Sequence, residues 1–250
     1  MIVLRSENEL QKMKTAGKIS KEALMLAGSM VSPGVSTGEI DEAVRRFIVK
    51  SGARPNFLGY GGYPKSCCIS INNEVIHGIP SFDRIISEGD IVSIDVGAEK
   101  DGYNGDNAAT FPAGKVSALA EKLLRVTSEC LERGIAAAQP GGRIGDIGFA
   151  VQSHAEANGF SVVRKYVGHG IGEDMHESPD VPNYGQSGKG IRLVPGMMLA
   201  IEPMINAGSY EVNDNSRDGW LVVTKDGSLS AHFENSVAIT KSGNIILTKI

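Results

Sequence analysis

Asp95 and Asp106 belong to a stretch that is typical of an apolar strand followed by a turn. Asp95 lies within the β-branched run Ile91–Val96, where an unpaired carboxylate would be costly to bury. A hairpin centred on Lys100–Asp101 would place Asp106 directly opposite Asp95, with their Cβ atoms about 5 Å apart. Because like charges on facing residues repel, the pair predicts a bound cation. The alternative is that Asp106 is a solvated loop residue and that Asp95 caps a local turn.

Two glutamates stand in similar positions later in the chain. Glu202 ends one apolar run, in L-A-I-E-P-M-I, and Glu234 lies in another, in A-H-F-E-N-S-V. Acidic residues are rarely fully buried without a partner, so four of them in apolar strands exceed what an ordinary core contains. His169 adds a nitrogen ligand between two glycines, which allow the backbone to approach a compact site closely.

Four carboxylates and one imidazole are too many ligands for a structural zinc site, which takes four Cys or His side chains. The set suits two divalent ions that share bridging carboxylates and activate a water molecule. Oxygen-rich ligation favours manganese, iron(II) or cobalt over copper. The expected cofactors are therefore two divalent metal ions, Co²⁺, Mn²⁺ or Fe²⁺, with Zn²⁺ as a further candidate.

Helices and short strands must position these residues. Capping boxes at Ser6 and Ser36 predict the starts of two amphipathic helices, and two further helices are predicted to stop at Pro140–Gly141 and at Gly159. Besides the hairpin, we predict strands at Cys68–Ile71, Val75–Ile76, Ser161–Val163, Met197–Ile201, Trp220–Thr224, Phe233–Thr240 and Ile245–Thr248.

The two halves of the chain repeat. A single constant offset in residue number aligns Pro33–Gly34 with Pro140–Gly141, and Asp95 with Glu202. One offset that holds from Pro33 to Asp95 predicts a duplicated helix–helix–strand–hairpin unit. Duplicated units usually pack about a pseudo-twofold axis, so a site between them would take matching residues from each. The predicted halves are 6–112 and 113–250, within a single catalytic domain of 1–250.

Composition limits the classes of function. The 250 residues are 41% hydrophobic and 22% charged, which is ordinary for a soluble globular protein, and a net charge of −4 without a basic run argues against a nucleic-acid surface. The sequence has neither a signal peptide nor an apolar run long enough to span a bilayer, so no membrane segment is expected. Cys67, Cys68 and Cys130 do not form a disulfide framework and suit a reducing cytosol. We expect a cytoplasmic monomer, and ribosome contacts stay open.

The motifs I-D-V-G…G-D, G-H-G-I-G…H-E, I-E-P-M and F-E-N together resemble the type I methionine aminopeptidases of bacteria. The resemblance runs from about Met1 to Ile246, and the segments Asn73–Pro80 and Met175–Pro179 fit the same family. It implies an α+β, duplicated pita-bread fold, in which a mostly antiparallel, curved sheet is covered by helices about a pseudo-twofold axis. It also implies hydrolytic removal of the initiator methionine from nascent proteins when the second residue is small.

The resemblance assigns roles to particular residues. It implies two metal ions bound by Asp95, Asp106, His169, Glu202 and Glu234, with Asp106 and Glu234 bridging. His77 and His176 would contact the substrate, and Glu202 would move a proton to the leaving amine. The side pocket for the methionine chain would be lined by Phe57, Tyr60, Tyr63, Cys68, Met175 and Trp220. Methionine and aromatic side chains are suitable partners for a thioether.

The sequence departs from the family pattern at several positions near these motifs. Asn104 and Asn235 stand where histidine is common, Glu173 where arginine is common, and Met175 where phenylalanine is usual. None of these is one of the five ligands, so the departures bear on rate and on pocket shape.

Two further histidines lie outside the motifs. We interpret His154 as a structural residue of an amphipathic helix. His232 is two positions from Glu234 and would share its strand face, so it could face the site, although we favour a supporting or surface position.

Two alternatives to the aminopeptidase stay open. A proline-specific peptidase or creatinase-type relative would share the fold, but such proteins usually carry a further N-terminal domain that this sequence lacks. A non-enzymatic binding protein of the same fold should have lost ligands, and all five are present.

Overall fold

Four helices run through the part of the chain that the computed structural model describes, residues 2–249. They are α1 (Glu7–Ser29), α2 (Thr37–Lys50), α3 (Ala118–Ala137) and α4 (Ile144–Ala157). Ser6 and Ser36 accept hydrogen bonds from the backbone N–H groups of Glu9 and Glu39, whose side chains accept from the two serine N–H groups in return. Both predicted capping boxes are therefore confirmed. None of the helices in the described chain combines the length and apolar content that a membrane crossing needs.

The strands form four antiparallel sheets. In chain order the strands are β1 (Arg54–Pro55), β2 (Cys67–Ile71), β3 (Glu74–Ile76), β4 (Ile91–Lys100), β5 (Tyr103–Pro112), β6 (Ser161–Val162), β7 (Gly168–Gly170), β8 (Glu177–Val181), β9 (Met198–Ile201), β10 (Met204–Asn206), β11 (Val212–Asn213), β12 (Val222–Thr224), β13 (Ser230–His232), β14 (Asn235–Thr240) and β15 (Gly243–Ile246). One large sheet has the order β1-β4-β2 with β5 on β4, and the other has the order β15-β14-β9-β7-β8. Two smaller sheets have the orders β13-β10-β6 and β11-β12-β3. Helices combined with antiparallel sheets confirm the predicted α+β class.

Each large sheet packs against its own pair of helices. Leu24 of α1 and Ile40 of α2 are fully buried in one core with Ile94 of β4. Leu131 of α3 and Ile147 of α4 share another core with residues of β9 and β14. Burial of these apolar helix faces is the main force that holds the helices on the sheets. The division into the halves 6–112 and 113–250 stays a prediction.

The hairpin that carries the first two acids has a different register from the predicted one. Asp95 pairs with Ala108, and Asp106 pairs with Gly97. The turn is Asp101–Gly102, with φ angles of 52° and 81°, as a type I′ turn requires and as an Asp-Gly pair favours. The predicted centre on Lys100–Asp101 was therefore wrong. Asp95 and Asp106 are diagonal neighbours on one face of the hairpin instead of direct partners.

Two ligand-bearing segments also differ from their predicted structure. His169 lies on β7, which we did not predict because two glycines in three residues weaken the strand signal. Strand β7 nevertheless lies between β8 and β9 in the larger sheet. Glu234 lies between β13 and β14, so the strand predicted to begin at Phe233 begins at Asn235.

Candidate metal centre

A cavity of about 160 Å³ brings together residues from both large sheets and from the loops between them. All the site residues predicted from the sequence line it: Phe57, Tyr60, Tyr63, Cys68, His77, Asp95, Asp106, His169, Met175, His176, Glu202, Trp220 and Glu234. Ile76 and His232 also line the cavity, and neither was among the predicted site residues.

Pairing of β9 with β14 brings the two glutamates together. Ile201 pairs with Asn235, and Glu202 and Glu234 are the next residues on either side of that pair. Both carboxylates therefore lie at the same end of the β9–β14 ladder, although they are well separated in the sequence. This pairing resembles the β4–β5 hairpin, but the connection between its two strands is much longer.

Ser236 links the first pair of acids to the second. The Asp106 N–H donates to Ser236 Oγ at 3.0 Å, and Ser236 Oγ donates to the Asp106 carbonyl at 2.8 Å. Ser236 lies on β14 and is fully buried, so these bonds join β5 of one large sheet to β14 of the other. Asp106, His169 and Glu234 each present a ligand atom, all within 4.8 Å of one another.

The remaining two acids lie against this group. The carboxyl group of Asp95 contacts that of Asp106. Glu202 Oε1 lies 3.6 Å from His169 Nε2. The five proposed ligands thus form one cluster in the lining of the cavity.

The tautomer of His169 suits it as a ligand. Its Nδ1 lies 2.9 Å from the carbonyl oxygen of Gly170, which can only accept a hydrogen bond. Nδ1 therefore carries the proton, and the Nε2 lone pair points to the acids. Burial lowers the pKa of His169 to about 3, which keeps the imidazole neutral.

The negative charge of the cluster needs compensation. Burial, together with the Glu202 carboxylate, raises the pKa of Asp106 to about 8, and burial alone raises that of Glu202 to about 8. Burial and adjacent carboxylates raise the pKa values of Asp95 and Glu234 above their usual range as well. No lysine or arginine of the described chain lines the cavity. In this protein, therefore, the compensating positive charge must come from a bound ion or from protons.

Unpaired oxygen atoms show where such an ion would fit. Asp95 Oδ1, Asp106 Oδ1 and Glu234 Oε1 are buried and have no hydrogen-bond partner in the described chain. Buried polar atoms in proteins nearly always have a partner, and a metal ion supplies one. Carboxylate oxygens with one imidazole nitrogen are the donor set of hard to borderline divalent ions. The residues present therefore fit divalent metal ions.

His176, one of the two proposed substrate histidines, lies beside His169, the proposed metal ligand. The ring of His176 is 4.2 Å from that of His169, centroid to centroid. His176 Nδ1 lies 2.8 Å from the hydroxyl group of Tyr60, at the rim of the cavity. The Tyr60 hydroxyl can donate to Nδ1, and in that arrangement the proton of His176 is on Nε2.

His77 faces the same cavity from another side. Its φ of 62° is uncommon for a residue other than glycine, and such backbone conformations cluster at functional sites. Its ring meets the rings of Trp220 and Tyr166 edge to face at 6.1 and 6.0 Å. Burial lowers the pKa of His77 to about 4, so the ring is neutral near pH 7.

An apolar pocket adjoins the cluster of acids. Phe57, Tyr63, Cys68 and Met175 are buried together, and Trp220 packs against them. The Tyr63 hydroxyl donates to backbone carbonyls, which leaves apolar and sulfur atoms to face the pocket. A side chain in this pocket would lie next to the proposed metal ligands.

The departures from the family pattern have identifiable contacts. Asn104 Nδ2 donates to the carbonyl oxygens of Gly172 and Glu173, so it ties the first hairpin to the loop after β7. Asn235 Oδ1 accepts a hydrogen bond from Thr248. Neither asparagine lines the cavity.

His232 is the functional candidate that sequence reasoning left outside the predicted site. Its side chain is 2% exposed, and its Nε2 lies 3.4 Å from Glu202 Oε2. Of the two positions favoured from the sequence, the surface one was therefore wrong. The signal that could have found it is the spacing of two residues from Glu234, which we noted and gave too little weight.

Comparisons with known proteins show which family and which folds this chain is similar to. The model of metallopeptidase family M24 matches residues 11–241. The methionine aminopeptidase of Clostridium acetobutylicum is 51% identical across 99% of both chains, and methionine aminopeptidase 1 of Bacillus subtilis is 49% identical across 100% of both. The crystal structure of methionine aminopeptidase from Rickettsia prowazekii matches 100% of both chains with a TM-score of 0.98 at 43% identity. The prolidase from Pyrococcus horikoshii has a TM-score of 0.79 at 24% identity, covers 100% of this chain and 64% of its own, and shares the fold.

Proposed function

We propose that this chain, which belongs to metallopeptidase family M24, acts as a methionine aminopeptidase: it hydrolytically removes N-terminal methionine when the second residue is small. The observation that carries the proposal is the cavity itself. A cluster of four carboxylates and an imidazole lies beside a buried apolar pocket of Phe57, Tyr63, Cys68 and Met175. The pocket suits an unbranched thioether side chain, and the cluster would lie at the peptide bond that follows it.

Family membership implies divalent metal ions as cofactors. We propose two of them, Co²⁺, Mn²⁺ or Fe²⁺ with Zn²⁺ as a further candidate, held by Asp95, Asp106, His169, Glu202 and Glu234. The ligand atoms of Asp106, His169 and Glu234, all within 4.8 Å of one another, support their place in this set. When bound, such ions polarise the scissile carbonyl and make water a nucleophile near neutral pH.

The protein side chains bind the substrate and move protons. His176 would donate a hydrogen bond from Nε2 to the substrate carbonyl, and Tyr60 would hold the ring in that tautomer. His77 would contact the substrate from the Trp220 side of the cavity. Glu202 would accept a proton from the attacking water on a carboxylate oxygen and give it to the leaving amine.

Metal removal tests the proposal. We expect a chelator to abolish hydrolysis of Met-Ala-Ser, and Mn²⁺, Fe²⁺ or Co²⁺ to restore it, because the carboxylate cluster needs its cations for the reaction. The measurement is the rate of methionine release beside metal content by mass spectrometry, on anaerobically purified protein. Full turnover by protein confirmed to be free of metal would overturn the proposal.

Substrate choice tests the same proposal against its closest alternative. On a panel of Met-X-Ser peptides, we expect rapid release for X = Gly, Ala or Ser, and very little for X = Leu, Phe or Lys. A preference for X = Pro with release of any first residue would instead favour a proline-specific peptidase. Binding of the peptides without hydrolysis under any metal would favour a non-enzymatic protein.

We propose nascent polypeptides with N-terminal methionine as the natural substrates, and the cytoplasm as the location. Cys67, Cys68 and Cys130 are free and buried, which supports a reducing compartment. A monomeric state and contact with the ribosome stay predictions. Sedimentation of the purified protein, alone and with ribosomes, measures both.

A further inference from the structure

His232 is held firmly at the wall of the cavity. Strand β13 pairs with β10, and His232 lies opposite Met204 in that ladder. The His232 N–H donates to Thr110 Oγ1 at 2.9 Å, and the same hydroxyl group lies 2.9 Å from the His232 carbonyl oxygen. With its backbone fixed and its side chain 2% exposed, the imidazole has little freedom to turn away from the site.

The two oxygens of Glu202 face two different histidines. Oε1 lies 3.6 Å from Nε2 of His169, on the side of the proposed metal ligands. Oε2 lies 3.4 Å from Nε2 of His232. The carboxylate of Glu202 therefore lies between His169, a proposed metal ligand, and His232, which is not in the group of Asp106, His169 and Glu234.

The Nε2 atom of His232 is buried and has no hydrogen-bond partner in the described chain. A buried imidazole nitrogen without a partner is uncommon, and the nearby carboxylate oxygen is an acceptor of the right kind. The separation of 3.4 Å is longer than a good hydrogen bond, but catalytic hydrogen bonds often shorten only when the reactive complex forms.

We propose that His232 is a positioning residue that donates a hydrogen bond from Nε2 to Oε2 of Glu202. The inference rests on the proposed function, because that function makes Glu202 a metal ligand and the carrier of the proton. One oxygen of Glu202 is then free to face the ions while the other is held by His232. A carboxylate held in this way keeps one orientation, both as a ligand and as a base.

Loss of a residue that forms a hydrogen bond to a metal ligand typically weakens metal affinity or activity about 10- to 100-fold. A residue that touched only the substrate would change KM and leave metal binding unaltered. A residue that only filled space would tolerate an apolar side chain of similar volume. These three roles predict different results for the same variants.

The test uses His232→Leu, His232→Gln and His232→Asn, with His154→Leu as the matched control. Leucine fills the space without a donor, glutamine keeps an N–H group at a similar reach, and asparagine keeps an amide that is too short. His154 lies on α4 and contacts Glu129, outside the cavity. For each full-length protein, we would measure Co²⁺ affinity by calorimetry, the visible Co²⁺ spectrum, and kcat and KM for Met-Ala-Ser.

We expect His232→Leu and His232→Asn to bind Co²⁺ about 10- to 100-fold more weakly and to lose kcat by a similar factor, with KM within about threefold. His232→Gln should stay within about threefold of the unaltered protein, and His154→Leu should equal it. If His232→Leu does not fold, the comparison of glutamine with asparagine decides the matter.

Unchanged Co²⁺ affinity and kcat in His232→Leu would overturn the inference, as would a glutamine variant as impaired as the asparagine one. A change in KM alone would make His232 a substrate contact and would also overturn it. If the unaltered protein releases no methionine, the proposed function fails. The Co²⁺ affinities and spectra would then still show whether His232 positions Glu202.

Discussion

His169 and His176 are close in the sequence and chemically identical, yet their Nδ1 atoms have different partners. The Nδ1 atom of His169 donates to a backbone carbonyl, which leaves a lone pair on Nε2 for a metal ion. The Nδ1 atom of His176 can accept from the Tyr60 hydroxyl, which leaves a proton on Nε2 for a substrate oxygen. The surroundings of His169 thus fix the tautomer that suits a metal ligand, whereas those of His176 permit the tautomer that suits a hydrogen-bond donor.

Alanine variants of these two histidines should therefore behave differently. We expect His169→Ala to purify with depleted metal and to lose activity, because a metal ligand is missing. We expect His176→Ala to keep near-normal metal content and to lose about 10²–10³ in kcat, with a modest change in KM. Metal per chain and steady-state kinetics measure both. Equal loss of metal in the two variants would contradict this division of roles.

At the level of single residues, the sequence was sufficient to identify the acids of the site but not to predict which of their atoms contact one another. Acidic residues in apolar strands are visible as a pattern, and Asp95, Asp106, Glu202 and Glu234 all reach one cavity. Which oxygen atoms meet depends on side-chain torsions that no periodicity records. His232 has a spacing of two residues from Glu234, which would place both on the strand face that faces the site. Its burial, however, depends on strands that are distant in the sequence.

Among the elements, the loop between β7 and β8 carries Met175 and His176 and is held by a residue from the N-terminal segment. The Arg5 guanidinium is 5% exposed and forms an ion pair with Glu177 at the start of β8. It also lies 3.4 Å from Glu173, within the loop, and 3.3 Å from Glu9 of α1. The acidic residue at position 173, where the family often has arginine, thus finds a cationic partner in this chain.

Removal of this guanidinium should affect stability and substrate binding together. We expect Arg5→Ala to lower the free energy of unfolding by about 1–2 kcal/mol, because the largely buried guanidinium no longer pairs with Glu177, whose carboxylate is partly buried. We also expect kcat/KM to fall by at least about tenfold, since the loop that carries His176 loses its support. Urea denaturation and kinetics with Met-Ala-Ser are the measurements.

Arg46→Ala is the matched control for Arg5→Ala. Arg46 pairs with Glu42 on the exposed surface of α2, so its loss should change stability by no more than about 0.5 kcal/mol. Arg5→Ala would contradict the expected role if it matched this control in both stability and kcat/KM.

Gly105 lets helix α1 lie directly against strand β5. A Cβ atom there would be 2.4 Å from the backbone nitrogen of Gly17, in the middle of α1. We expect Gly105→Ala to destabilise the fold by about 1–3 kcal/mol and to weaken metal binding, because the strand must shift next to Asp106. Gly142→Ala, whose nearest contact would be 3.1 Å, should cost less. If the metal affinity of Gly105→Ala is unchanged, a shift of strand β5 does not move Asp106, the proposed ligand.

The sequence predicted elements well where a local signal exists. The capping boxes at Ser6 and Ser36 set both helix starts, because a serine and a glutamate three residues later satisfy backbone groups locally. Strand β7 has no such signal, because glycine has low strand propensity; Gly168 and Gly170 instead allow close packing against β9 and β8. The hairpin turn did have a signal, Asp101–Gly102, and the strong Asp-Gly preference for type I′ turns would have corrected its register.

At the scale of the whole molecule, the site exists only because the two large sheets meet. Asp106 on β5 and Glu234 before β14 are far apart in the sequence and are joined through the hydrogen bonds of Ser236. The internal repeat predicted that matching acids would come together, since equal units pack symmetrically. It could not predict the serine that joins the sheets, because Ser236 has no signature apart from its contacts.

Crowding of acids between the sheets makes the stability of the metal-free protein depend on pH. Burial raises the pKa of Asp106 and of Glu202 to about 8, from ordinary values near 4. A carboxyl group with a raised pKa in the fold contributes its full stability below its unfolded pKa, and loses it as pH rises through the folded pKa. Histidines with lowered pKa values, such as His169 and His77, act in the opposite sense but only below about pH 6.5. Between pH 6.5 and 8, the carboxyl groups alone set the sign.

We therefore expect the Tm of the metal-free protein to fall from pH 6.5 to pH 8, and the rise in Tm on adding Mn²⁺ to be larger at pH 8. The ions replace the protons that the acids lose, and they stabilise the fold more when they bind more tightly, as they do at higher pH. Asp106→Asn removes one of the charges, so its metal-free form should melt above the metal-free parent at pH 8 and gain little from Mn²⁺. Calorimetry at both pH values, with chelator or with Mn²⁺, measures these differences. If the Tm gain from Mn²⁺ is equal or smaller at pH 8, ionisation of the buried acids does not destabilise the metal-free protein. The negative charge of the metal centre would then be compensated by something other than protons and metal ions.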